Sequence, residues 1–121
     1  MNKKQPVLLF LSNRNTYETI SETLSSGFEL LIYSKPDELL KAQVSLIITD
    51  DLMLRQYSQL IELKKQDEKP VDLPVLLITT NNEIANSIPF QGKSFDEIIV
   101  LPIQKAELQI RVETLLRLRR Y

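Results

Sequence analysis

Four short apolar runs, residues 7–11, 46–49, 75–79 and 98–101, constrain this chain more than any other feature. Each is four or five residues long, rich in Val, Ile or Leu, and lacks inside–outside alternation. A strand buried on both faces has this pattern, and such burial belongs to parallel sheets covered by helices on either side. A fifth run, residues 28–33, follows Gly27 and carries Glu29, which places it nearer the sheet edge.

Between the runs the period changes. Residues 16–25 set Tyr17, Ile20 and Leu24 at helical spacing, with Asn15 or Ser12 as the N-cap. Ser34-Lys35-Pro36-Asp37-Glu38 opens a short helix that runs through Ala42, with Pro36 in the first turn, where its missing N–H costs nothing. Residues 57–66 put Leu60, Ile61 and Leu63 on one side and leave Lys64, Lys65 and Gln66 to water. Residues 105–119 form the clearest helix. Leu108, Val112, Leu115 and Leu116 make its stripe, while Ile110 and Leu118 project elsewhere and suit a partner. Asn81, Asn82, Pro89 and Gly92 leave room for one or two turns in residues 81–93, so the fourth helix is short or irregular. The result is an α/β chain with a doubly wound, five-stranded parallel sheet in the order 2-1-3-4-5, joined by right-handed crossovers.

Composition narrows the chemistry. The 121 residues, 43% apolar and 26% charged, suit one globular domain spanning 1–121. No histidine, cysteine or tryptophan is present, which removes imidazole acid–base catalysis, thiol nucleophiles and Cys- or His-built zinc sites. Fifteen basic against sixteen acidic residues give a net charge of −1, so no global field recruits nucleic acid. Two glycines cannot build a phosphate cradle. The amino-terminal apolar run is too short for a signal peptide and nothing reaches membrane-span length, so the expected location is the cytoplasm, with no membrane partner.

A doubly wound sheet places its site at the carboxyl ends of the strands. Ser12, Asn13, Asp50, Asp51, Thr79, Thr80, Leu101 and Pro102 fall there. Leu46-Ile-Ile-Thr-Asp50, Leu73-Pro-Val-Leu-Leu-Ile-Thr79 and Leu101-Pro102-Ile103, with the helix pattern that follows, resemble a response-regulator receiver domain over nearly the whole chain. The resemblance implies a flavodoxin-like fold, two-component (phosphorelay) signalling, Asp50 as the phospho-acceptor position, Thr79 as its hydroxyl residue, and a cis bond before Pro102.

The departures from that pattern carry equal weight. Ser12 and Asn13 stand where the family has an acidic pair for Mg²⁺, Leu101 where it has a lysine, and Leu54 where it has a proline. Phosphorylating a carboxylate needs its developing charge neutralised, and Mg²⁺ dehydrates reluctantly without several carboxylates. Asp50 alone is a poor Mg²⁺ ligand, so the expectation is no cofactor, no metal site, no enzymatic activity, and a degenerate receiver (a pseudo-receiver) that regulates by binding. Its partner would be another protein, an attached output domain of diguanylate-cyclase or histidine-kinase type in a longer signalling protein, or a second copy of the chain. The alternative is a working receiver that accepts phosphate on Asp50 from a histidine kinase and uses Mg²⁺. A flavodoxin-like binding domain or enzyme ranks last, since Ser12-Asn-Arg-Asn-Thr16 contains no glycine. Each residue also has a plainer role: Asp50 as a cap at a strand end, Asp51 facing the opposite side, Thr79 as an ordinary β-former. The arginines of Arg117-Leu-Arg-Arg-Tyr121 suit an exposed helix face.

Overall fold

The computed structural model describes residues 4–33 and 35–118. Ser34, Arg119, Arg120 and Tyr121 lie outside the described residues, as does the side chain of Leu118.

Five strands alternate with helices: β1 Gln5–Phe10, α1 Arg14–Leu24, β2 Phe28–Ile32, α2 Pro36–Lys41, β3 Leu46–Asp50, α3 Asp51–Glu68, β4 Val75–Thr79, α4 Ile84–Ser87, β5 Glu97–Val100 and α5 Lys105–Leu118. All neighbouring strands pair in parallel, in the order β2-β1-β3-β4-β5. β3 and β4 are buried at every residue, their apolar runs giving way to Thr49, Asp50 and Thr79 at the carboxyl ends, whereas β2 sits at the edge with Glu29 and Ile32 exposed.

Strand alternation divides the core between the two faces. Val7, Leu9, Leu46, Ile48, Leu76, Ile78 and Ile99 pack with Ile20 and Leu24 of α1 and with Leu108, Val112, Leu115 and Leu116 of α5. Leu8, Phe10, Ile47, Val75 and Leu77 pack on the other face with Leu39 of α2, Leu54 and Ile61 of α3, and Phe95. The α5 stripe is buried as its spacing predicts, and Ile110 is 63% exposed. α4 is four residues long and passes into a 3-10 turn, Ile88–Phe90, that contains Pro89.

Three sequence expectations need correction. The N-cap of α1 is Asn13, whose side chain accepts from Thr16 N at 3.0 Å, and the helix starts at Arg14. Neither Ser12 nor Asn15 fills that role. α3 begins at Asp51, six residues earlier than Tyr57, because Asp50 caps it directly. Within α3, Lys64 is 2% exposed and Leu63 is 54% exposed, the reverse of the expected pattern. The Lys64 ammonium donates to the carbonyls of Leu40 and Ala42 at the end of α2, so its stem crosses the helix pair instead of entering water.

Candidate functional site

Asp50 ends β3 in extended conformation (φ −116°, ψ 176°) and is also the N-cap of α3. Its Oδ1 accepts from Met53 N at 3.1 Å. Its Oδ2 accepts from Ser12 N at 2.7 Å, from Ser12 Oγ at 2.7 Å and from Asn13 N at 3.3 Å. The residue is 8% exposed. Four protein donors therefore surround one carboxylate and tie the loop after β1 to the start of α3. Backbone N–H groups and a hydroxyl supply the compensation that a buried carboxylate needs.

Asp51 does not face the opposite side. Thr79, 1% exposed at the end of β4, donates its hydroxyl to Asp51 Oδ2 at 2.6 Å. Burial pushes the Asp51 carboxyl above its ordinary value, and Glu83 and Asp50 add to the rise, while the Thr79 bond and Arg55 oppose it. Arg55 pairs with Glu83 at 3.7 Å across half-exposed side chains, a contact of small energetic weight. Thr80 caps the following turn by accepting from Glu83 N at 3.2 Å.

Leu101 joins β4 through its backbone. Its N–H donates to Thr79 O at 2.8 Å, but its side chain packs on the α1–α5 face with Leu11 and Ile103. The peptide bond before Pro102 is cis. The structure thus brings Ser12, Asn13 and Asp50 together, places Asp51 on Thr79 beside them, and packs the partly buried Leu101 against the α1–α5 side of the core. Sequence reasoning missed Met53, Arg55 and Glu83. Met53 contributes through its backbone, which carries no side-chain signal, and Arg55 and Glu83 meet only because α3 begins early.

The polar groups around Asp50 differ from an Mg²⁺ site built on several carboxylates. Both Asp50 oxygens are bonded to protein donors, and among the described residues no group of three or more Asp or Glu side chains is placed to hold a metal ion. Three of the four donors converge on Asp50 Oδ2, and the family's acidic pair is replaced here by Ser12 and Asn13, which bring no negative charge to offset dehydration of the cation. One groove of about 650 Å³ lies along β5 and α5, lined by Glu97, Glu107, Ile110, Arg111 and Thr114 among others.

No family model matches the chain. Among characterised sequences it is 25% identical to the "Probable transcriptional regulator ycf27" of Cyanidium caldarium and 27% identical to that of Porphyra purpurea, over 96% of this chain in both. The chain spans about half the length of these relatives, 48% and 49%. Among solved structures, the receiver domain of a sensor histidine kinase from Pseudomonas aeruginosa, which holds a magnesium ion in its active-site cleft, superimposes with a TM-score of 0.76 at 15% identity, covering 95% of this chain and 99% of that one. The beryllofluoride-activated receiver domain of DrrB gives 0.72 at 16% identity, again over 95% and 99%. NtrX from Brucella abortus gives 0.80 at 17% identity over 98% of this chain and 27% of its own length. The structural neighbours are response-regulator receiver domains, and the chain has their fold.

Proposed function

We propose that this chain is a degenerate receiver of two-component signalling, a regulatory module that works by protein contact and without efficient Mg²⁺-dependent phosphorylation of Asp50. One observation carries the reading. The carboxylate at the acceptor position has both oxygens bonded to the protein itself, and one of them caps a helix. Oδ2 is engaged by three donors and Oδ1 caps α3 through Met53 N, and Ser12 and Asn13 supply no carboxylate to hold a cation that would offset the charge of transfer. Thr79, which could steady a phosphoryl group, is turned to Asp51.

The module has no catalytic activity of its own in this reading. It acts in the cytoplasm, through an attached output domain or a protein partner; half of each regulator relative lies beyond the matched region. A diguanylate-cyclase or histidine-kinase module and a homodimer through α5 are the forms this contact takes. The test is incubation with a small phosphodonor or beryllofluoride and millimolar Mg²⁺, followed by intact mass and backbone chemical shifts. The expected result is an unmodified mass and unchanged shifts at Ser12, Asp50 and Thr79. Stoichiometric modification of Asp50 would establish a phosphorylatable receiver instead.

A further inference from the structure

α3 consists of two helical pieces joined at Tyr57, whose φ of −124° and ψ of 26° break the regular geometry, since a helix needs about −63° and −42°. Neither proline nor glycine occurs between 51 and 68 to cause the break. It coincides with the Tyr57 ring packing on Phe10, centroids 5.5 Å apart.

The two pieces are held by different means. The second piece is fixed to the body at several points: Ile61 is fully buried, Lys64 binds the α2 carbonyls, Lys65 reaches Asp96 and the Leu73 carbonyl at 2.6 Å each, and Glu62 accepts from the buried Ser94 at 2.9 Å. The first piece buries Leu54. Met53 packs partly buried against the same core, and the remaining holds are polar: Asp50 on Met53 N and Thr79 on Asp51, both made by buried residues, and the half-exposed pair of Arg55 with Glu83. Leu52 projects outward at 54% exposure. Opening would hand each of these polar bonds to water, so each bond to a carboxylate opposes it by about 1–2 kcal/mol, a factor of about ten, and the half-exposed Arg55–Glu83 pair by less.

We infer that residues 51–56 form a flap, hinged at Tyr57, that opens independently of the rest of α3 and uncovers Asp50 Oδ1 and the Thr79 hydroxyl. Local opening of this kind occurs without global unfolding wherever a segment has few buried apolar contacts. Anything that reaches Asp50 from this side must first open the flap. The inference stands on the hinge and its latches, whether or not Asp50 accepts phosphate.

Amide hydrogen exchange on the whole chain tests it. Amides of residues 54–57 should exchange at least about tenfold faster than those of 61–65. Thr79→Val, which removes the Asp51 latch, should speed the first group about tenfold further and leave the second unchanged. Arg55→Gln, an exposed change that does not threaten folding, should act on the same group by a smaller factor. The chain has no cysteine, so single replacements Leu54→Cys and Ile61→Cys, each at a buried site of α3, give an independent readout by thiol labelling. Faster labelling at 54 supports the flap. Equal labelling at the two sites, or acceleration of both amide groups together by Thr79→Val, would overturn it.

Discussion

Asp50 joins two elements through one carboxylate, and its removal tests how much the local structure depends on it. Asp50→Ala leaves Met53 N, Ser12 N, Ser12 Oγ and Asn13 N without their acceptor. Loss of the cap together with orphaned donors should cost about 2 kcal/mol in urea denaturation. Asp50→Asn keeps one acceptor oxygen and should cost about half as much. Equal stability of all three proteins would show that these bonds are replaced by water at no cost. Asp51 behaves differently, because burial and the nearby Glu83 and Asp50 charges hold its carboxyl above its ordinary value of 3.8. The folded chain therefore binds that proton more tightly than the unfolded chain does. Stability contributed by this group is greatest below the ordinary value, falls as pH rises through the raised one, and is constant above it. Asp51→Asn keeps an acceptor for Thr79 and removes the titration. Its stability relative to the native protein should rise between pH 3 and pH 7, as measured by urea denaturation at each pH. A pH-independent difference would mean that the Asp51 carboxyl titrates alike in both states.

At the scale of elements, α5 presents the clearest opportunity for a partner. Its inner stripe is buried, while Ile110 stands 63% exposed beside the β5–α5 groove. Arg111 in that groove makes only long pairs, 3.5 Å to Glu97 and 3.8 Å to Glu107, and its Nε is buried without a hydrogen-bond partner. An apolar residue next to an imperfectly satisfied arginine suits contact with a second copy. Sedimentation at high concentration should give a dimer mass, and Ile110→Asp should give a monomer of unchanged fold. A monomeric native protein would remove the homodimer. The element boundaries also show what the sequence makes legible. The mainly apolar runs of β3 and β4 and the α5 stripe identify themselves, since burial on both faces leaves few polar residues, and those, Thr49, Asp50 and Thr79, stand at the carboxyl ends of the strands. The irregular α4 follows from Pro89 in the same way. The start of α3 is not legible, because Asp51-Leu-Met-Leu-Arg-Gln has no regular apolar period and the helix is set by a carboxylate cap one residue upstream. Lys64 misleads for a related reason. Charge predicts exposure, and only the position of α2's carbonyls makes a buried ammonium favourable. At the site, Asp50, Ser12 and Thr79 are visible from sequence, whereas their pairing is not, because it depends on rotamers and backbone donors.

For the whole molecule, the sheet order β2-β1-β3-β4-β5 brings the ends of β1, β3 and β4 to one edge, and that edge is closed by the protein's own groups. Two-sided burial of β3 and β4 fixes where Asp50 and Thr79 stand, so the edge is held by the core beneath it as well as by its own bonds. A domain whose acidic edge is compensated by a cation depends on that cation for stability, since a ligand that binds only the folded state adds RT ln(1 + [L]/Kd). A site with a dissociation constant of about 1 mM would add about 1.4 kcal/mol at about 10 mM Mg²⁺. Here the compensation comes from Ser12, Asn13 and Met53, which are present at any metal concentration. The unfolding midpoint in urea should therefore be the same in a chelator and in about 10 mM Mg²⁺, with Ca²⁺ at equal ionic strength as the control for nonspecific screening. A stabilisation of about 1 kcal/mol or more that is specific to Mg²⁺ and is lost in Asp50→Asn would place a metal at this edge after all, and with it the chemistry that the closed carboxylate argues against.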